Sequence, residues 1–208
     1  QRKAALAMAI IMDCSCSMGV RVPDGRTKME LAAEGVVGAL QLLNPRDEAS
    51  VNMVDTGGHE IFPMSPVAGG LPLNQVARGF SCGGGIYVGE GLRIAKQQIL
   101  SSDKETRHVL LFSDAADSEE PDDYERTIAE LVRENVTVSV IGMGSRADVD
   151  AKLLEEIARR GKGRIYFAED VLSLPRIFSQ ETIAVARSTF VEEKTSTKLG
   201  PDLAQLGR

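Results

Sequence analysis

The chain has 208 residues, 43% of them apolar and 26% charged, the composition of a globular domain long enough to bury a core. Its net charge of −6 argues against nucleic acid or an anionic membrane surface as partner, since both need a basic face. The longest apolar run, Ala4–Met12, covers nine residues, far short of the roughly 20 that span a bilayer.

Ala4–Met12 predicts a strand, and Asp13 ends it within "MDCSCSMG". Met29, Ala33, Val36, Leu40 and Leu43 then mark one face of a helix, stopped by Asn44-Pro45. A second strand is expected over Ala49–Val54. Thr56-Gly57-Gly58 separates it from a short run at Glu60–Phe62, so a hairpin with one antiparallel edge strand fits. Gly69-Gly70-Leu71-Pro72 reads as loop. Val88, Leu92, Ala95 and Ile99 mark the next helix.

His108–Ser113 predicts a strand that ends on Asp114, in "HVLLFSD". Tyr124, Ile128 and Leu131 mark a helix opened by Pro121, with Glu119, Glu120, Asp122, Asp123 and Glu125 around its start. That acidic stretch is a solvated helix start or an acidic lip for basic partners. A strand follows over Val136–Gly142. Leu153, Leu154, Ile157 and Ala158 form a helix closed by Gly161, and Arg164–Phe167 forms a last strand. Leu174, Ile177 and Phe178 begin a final helix after Ser173, with Pro175 early in it. From Glu192 onward the chain is polar and unpatterned. It opens within a few residues of its first strand, as a domain cut from a larger protein would.

The strands are apolar throughout rather than alternating, as parallel strands covered on both faces are. Their alternation with helices predicts an α/β, doubly wound, mostly parallel sheet. One domain is expected over residues 1–188, followed by a polar extension over 189–208. In such sheets ligands bind beyond the carboxyl ends of the strands, where strand order reverses. Asp13 and Asp114 end two strands in the same way, so both carboxylates belong on one rim. As neighbours they would lie about 5 Å apart and need a cation or a proton between them.

If the loop after Asp13 runs extended, Asp13, Ser15 and Ser17 share one side and Cys14, Cys16 and Met18 the other. Oxygen donors alone suit Mg²⁺, Mn²⁺ or Ca²⁺. A simple turn capped by Ser15 and Ser17 is the alternative. Cys14, Cys16 and Cys82 lack zinc or disulfide spacing and read as packed, reduced thiols. His59 and His108 read as structural. Gly83-Gly84-Gly85 lacks the lysine and spacing of a phosphate loop, and no GxSxG elbow is present.

Asp13-x-Ser15-x-Ser17 resembles the metal-ion-dependent adhesion site of von Willebrand factor type A domains. Asp114 in "LLFSDAAD" and the loop and helix "GGGIYVGEGLRIA" match that family's later site segments. The resemblance covers roughly residues 4–185. It implies a Rossmann-like six-stranded sheet in the order 3-2-1-4-5-6 with strand 3 antiparallel. It also implies a divalent cation, Mg²⁺ (or Mn²⁺ or Ca²⁺), held by Asp13, Ser15, Ser17 and Asp114, and a protein partner that offers it a carboxylate. Ile86 stands where the family has threonine, which implies a degenerate site and weak binding. Cys16 replaces the usual glycine. "TRHVLLFSDAADSEEPDDYE" is similar to a bacterial subgroup whose parents are larger and membrane-anchored. The competing reading is a Mg²⁺-dependent phosphohydrolase-like enzyme using Asp13. Against it, position 15 is a serine rather than a second acid, and apart from Lys28 the candidate loops lack the lysine such sites carry.

Overall fold

A computed structural model describes residues 2–78, 83–85, 87–114, 123–188 and 190–191. The strands are β1 (Arg2–Lys3), β2 (Leu6–Asp13), β3 (Glu48–Val54), β4 (Gly58–Pro66), β5 (Thr106–Asp114), β6 (Val136–Met143), β7 (Lys162–Ala168) and β8 (Phe190–Val191). The α-helices are α1 (Lys28–Gln41), α2 (Leu73–Ala77), α3 (Val88–Leu100), α4 (Tyr124–Arg133), α5 (Ala151–Arg160) and α6 (Leu174–Ser188). The main sheet has six strands in the order β4-β3-β2-β5-β6-β7. All neighbours are parallel except β3 and β4. The expected doubly wound sheet with one antiparallel edge is therefore present.

Two elements were not foreseen, the short α2 and the antiparallel pair β1–β8. The edge strand β4 is also longer than the short run expected at Glu60–Phe62, because the rest of it carries polar side chains and proline. Pro121, Cys82, Ile86 and the residues beyond 191 lie outside the described residues, as does most of the acidic stretch.

Strict alternation along β2 builds two cores. Leu6, Met8, Ile10 and Met12 face one side with Leu31, Val36 and Leu40 of α1 and Leu174, Ile177 and Phe178 of α6. Ala7, Ala9 and Ile11 face the other with α3, α4 and α5. The small side chains on that second face let α3 come close. A Cβ on Gly91 would lie 2.7 Å from Ile11 Cγ2, so α3 is docked tightly behind the carboxyl end of β2. Among the described residues no helix is long and apolar enough to cross a membrane.

A polar cluster ties α6 to the sheet. Glu181, fully buried on α6, accepts hydrogen bonds from Arg164 Nε at 2.7 Å and Arg164 Nη2 at 3.0 Å. The Tyr166 hydroxyl donates to it at 2.8 Å. His108 Nε2 faces it at 3.4 Å, while His108 Nδ1 lies 2.7 Å from Thr137 Oγ1. Burial lowers the His108 pKa, so the ring is neutral at pH 7. His108 thus sits in a buried structural cluster, in line with its reading as a structural histidine.

Candidate metal centre

Strand order reverses at β2. The chain passes from β2 to β3 on one side and later lays β5 on the other. The carboxyl ends of β2 and β5 thus meet at the crevice where ligands bind in such sheets. Met12 pairs with Phe112 in the parallel register, which sets Asp13 and Asp114 side by side. The Asp114 backbone N–H donates to Asp13 Oδ2 at 2.8 Å. The two aspartates share one rim, as their strand-end positions predict.

The Asp13 carboxylate is wholly buried. Its other oxygen accepts the Ser15 N–H at 2.7 Å. Burial raises the Asp13 pKa to about 6, against the lowering effect of the Asp114 and Ser15 hydrogen bonds. A carboxylate in that state is under-compensated and gains from a nearby cation.

The loop after Asp13 corrects one expectation. It is not extended. Residues Cys16–Gly19 form a short 3-10 helix, with Met18 N–H bonded to the Ser15 carbonyl at 3.0 Å. Alternation therefore fails after Ser15. Cys14 is buried as expected, but Cys16 is exposed, because one tight turn rotates its side chain outward. The two hydroxyls still converge, with Ser15 Oγ 3.1 Å from Ser17 Oγ. Ser15 occupies the N-cap position, yet its side chain makes no capping bond. The simple-cap reading of Ser15 is not what the geometry delivers.

The second loop faces the first. Gly83 N–H donates to the Cys14 carbonyl and Cys16 N–H donates to the Gly84 carbonyl, both at 3.2 Å. Gly84 adopts φ +65°, a left-handed conformation that suits glycine. Ile86 itself lies outside the described residues.

One neighbour was underrated. Thr27 caps α1, accepting the Glu30 N–H at 3.1 Å while Glu30 accepts the Thr27 N–H at 2.6 Å. This capping box makes Lys28 the first helical residue. Its ammonium lies 3.3 Å from Asp114 Oδ2. A charge at the first turn next to the rim was the available signal.

The rim thus gathers two buried carboxylates and two adjacent hydroxyls, with an ammonium already drawn to one carboxylate. All the donors are oxygen, so the set fits a hard divalent cation.

Known structures share this fold. A von Willebrand factor type A protein from Catenulispora acidiphila is 25% identical with a TM-score of 0.74, covering 88% of this chain and 43% of that one. The chain thus spans less than half of that structure's length. BatB from Bacteroides thetaiotaomicron is 17% identical with a TM-score of 0.68, over 88% of this chain and all of that one. Proximal thread matrix protein 1 from the mussel byssus, solved with zinc in its MIDAS motif, is 16% identical with a TM-score of 0.70. It covers 88% of this chain and 46% of its own. No match is found among curated proteins. The von Willebrand factor type A family model matches residues 8–180, a span that runs from β2 into α6 and includes both rim aspartates, and so the chain belongs to the von Willebrand factor type A domain family.

Proposed function

We propose that this domain is a non-enzymatic interaction module that grips a carboxylate of a partner protein through a divalent cation. Asp13, Ser15, Ser17 and Asp114 would hold the cation. The observation that carries this reading is the convergence of two hydroxyls with two hydrogen-bond-linked carboxylates at the switch point. When bound, the cation supplies a Lewis-acidic position for the incoming carboxylate. The protein's own part is to keep Asp13 fixed by two backbone N–H groups and to present Ser15 and Ser17 from a tight turn.

Mg²⁺ and Mn²⁺ suit these donors, and the zinc in the mussel relative makes Zn²⁺ a third ion to compare. The site is degenerate in this reading, because Ile86 offers no oxygen and water must replace the family's threonine. A bacterial, membrane-anchored parent is supported by the segment around Asp114 alone.

Lys28 is a tethered competitor in this account. Its ammonium already compensates part of the Asp114 charge and must move aside for a cation. Lys28→Met is expected to tighten Mn²⁺ about 3- to 10-fold in calorimetric titration, matching the roughly 1 kcal/mol of a partly exposed ion pair. Equal or weaker binding in the variant would show that Lys28 does not compete. The same lysine is the one feature that favours a phosphohydrolase. Turnover of a generic phosphate ester, lost in Asp13→Ala, would move the assignment to that enzyme class.

A further inference from the structure

The loops that build the rim bring together a second set of donors with different chemistry. The pairing with β3 carries on one residue past the end of β2, where Cys14 N–H donates to the Val54 carbonyl at 2.9 Å. Cys14 thereby lies beside Asp55, the residue that follows β3. The tight β3–β4 turn folds back so that His59 pairs with Met53. His59 Nε2 then lies 2.9 Å from Asp55 Oδ1. Ligand atoms of Cys14, Asp55 and His59 all lie within 4.8 Å of one another.

Burial across the trio is graded. Cys14 is 2% exposed, while the side chains of Asp55 and His59 are 17% and 54% exposed. A thiol at the bottom, a carboxylate in the middle and an imidazole at the solvent give a site with an entry path. Asp55 is also well supplied to stay ionised. Burial works against its charge, but the Gly57 N–H and His59 hold its pKa below the ordinary value.

The set points away from the rim. Asp13 is turned toward β5, where it accepts the Asp114 N–H. Cys14 is turned toward the β3–β4 hairpin. The two donor groups therefore lie on opposite sides of the end of β2, one all oxygen and the other mixed S, N and O.

We propose that Cys14, Asp55 and His59 form a second metal site, for a zinc-class transition ion, separate from the hard-cation rim. Thiolate and imidazole select such ions over Mg²⁺ and Ca²⁺. Three protein ligands leave one position of a tetrahedral ion open to water or an outside donor. Binding releases the Cys14 thiol proton to solvent, and His59 coordinates through Nε2 with its proton on Nδ1. Because Cys14 stands between Asp13 and Ser15, an ion here also stiffens the loop that presents the rim hydroxyls.

The test is optical titration with Co²⁺, followed by displacement with Zn²⁺. The wild-type protein is expected to develop a sulfur-to-cobalt charge-transfer band in the near ultraviolet that Zn²⁺ removes. Cys14→Ser should abolish the band, and Ser17→Ala, which removes a rim hydroxyl without touching the trio, should keep it. His59→Ala changes an exposed side chain and leaves the core untouched, so it remains informative if Cys14→Ser fails to fold. It should weaken Co²⁺ at least about tenfold. Absence of the band in the wild type, its survival in Cys14→Ser, or unchanged affinity in His59→Ala would each overturn the proposal. Mn²⁺ binding in His59→Ala should match wild type, so this site and the rim can fail independently.

Discussion

Replacing Glu181 with alanine is expected to lower the free energy of unfolding by about 3 kcal/mol or more, the range for removing one partner from a buried ion pair. The carboxylate is fully buried on α6 and takes both arms of the Arg164 guanidinium together with the Tyr166 hydroxyl. Without it, the His108 ring faces a void, and the link from α6 to β5 and β7 is gone. Arg164 can partly turn to water, which keeps the loss toward the low end of the range. Urea unfolding measures it directly, and a change below about 1 kcal/mol would mean the cluster is ornamental to stability.

The same cluster sets the acid limb. Burial acts to raise the Glu181 pKa, but the facing His108 ring and the hydrogen bonds from Arg164 outweigh it and bring the value to about 2. Relative to about 4.5 unfolded, that is worth about 3 kcal/mol at neutral pH. A depressed carboxyl contributes stability above its unfolded pKa and loses it as pH falls, here between about 4.5 and 2. His108 acts in the same direction: burial lowers its pKa below 6.5, so the unfolded chain takes up a proton first as pH drops. Glu181→Gln should flatten the stability profile below about pH 4.5. An acid limb identical to wild type would contradict this assignment.

Asp13→Ala is expected to weaken Mn²⁺ by more than about 100-fold, beyond the 10- to 100-fold typical of an outer-shell change. Asp13 contributes the buried charge at the rim and, through its two oxygens, locks Ser15 and Asp114 by their backbone N–H groups. Its loss removes charge and geometry together. Because it also leaves those two N–H groups without their acceptor, Ser17→Ala is the companion. Ser17 is only half-buried, and its removal should cost affinity while the unfolding midpoint stays near wild type. Wild-type affinity in both variants would place the ion elsewhere.

Much of this was legible in the chain. Asp13 and Asp114 could be paired because each ends an apolar run and parallel neighbours put such ends on one rim. The antiparallel edge followed from two glycines in a short turn. The orientation of Cys16 was not legible, because nothing in "CSCSMG" distinguishes an extended loop from a 3-10 turn, and the difference decides whether Cys16 faces the protein or water. The Cys14–Asp55–His59 group was hidden for another reason. Its members are close only through the registers of β2 with β3 and of β3 with β4, and neither register can be read from spacing. Glu181 carried no signal in the sequence, and only the packing of α6 over Arg164 and His108 explains its burial.

The central claim is that the oxygen rim at β2 and β5 holds a divalent cation, and crystals grown in millimolar Mn²⁺ test it most directly. The account predicts anomalous density within about 2.0–2.2 Å of Ser15 Oγ and Ser17 Oγ, with the Lys28 ammonium displaced from Asp114. A rim without such density, and Lys28 still paired with Asp114, would contradict it.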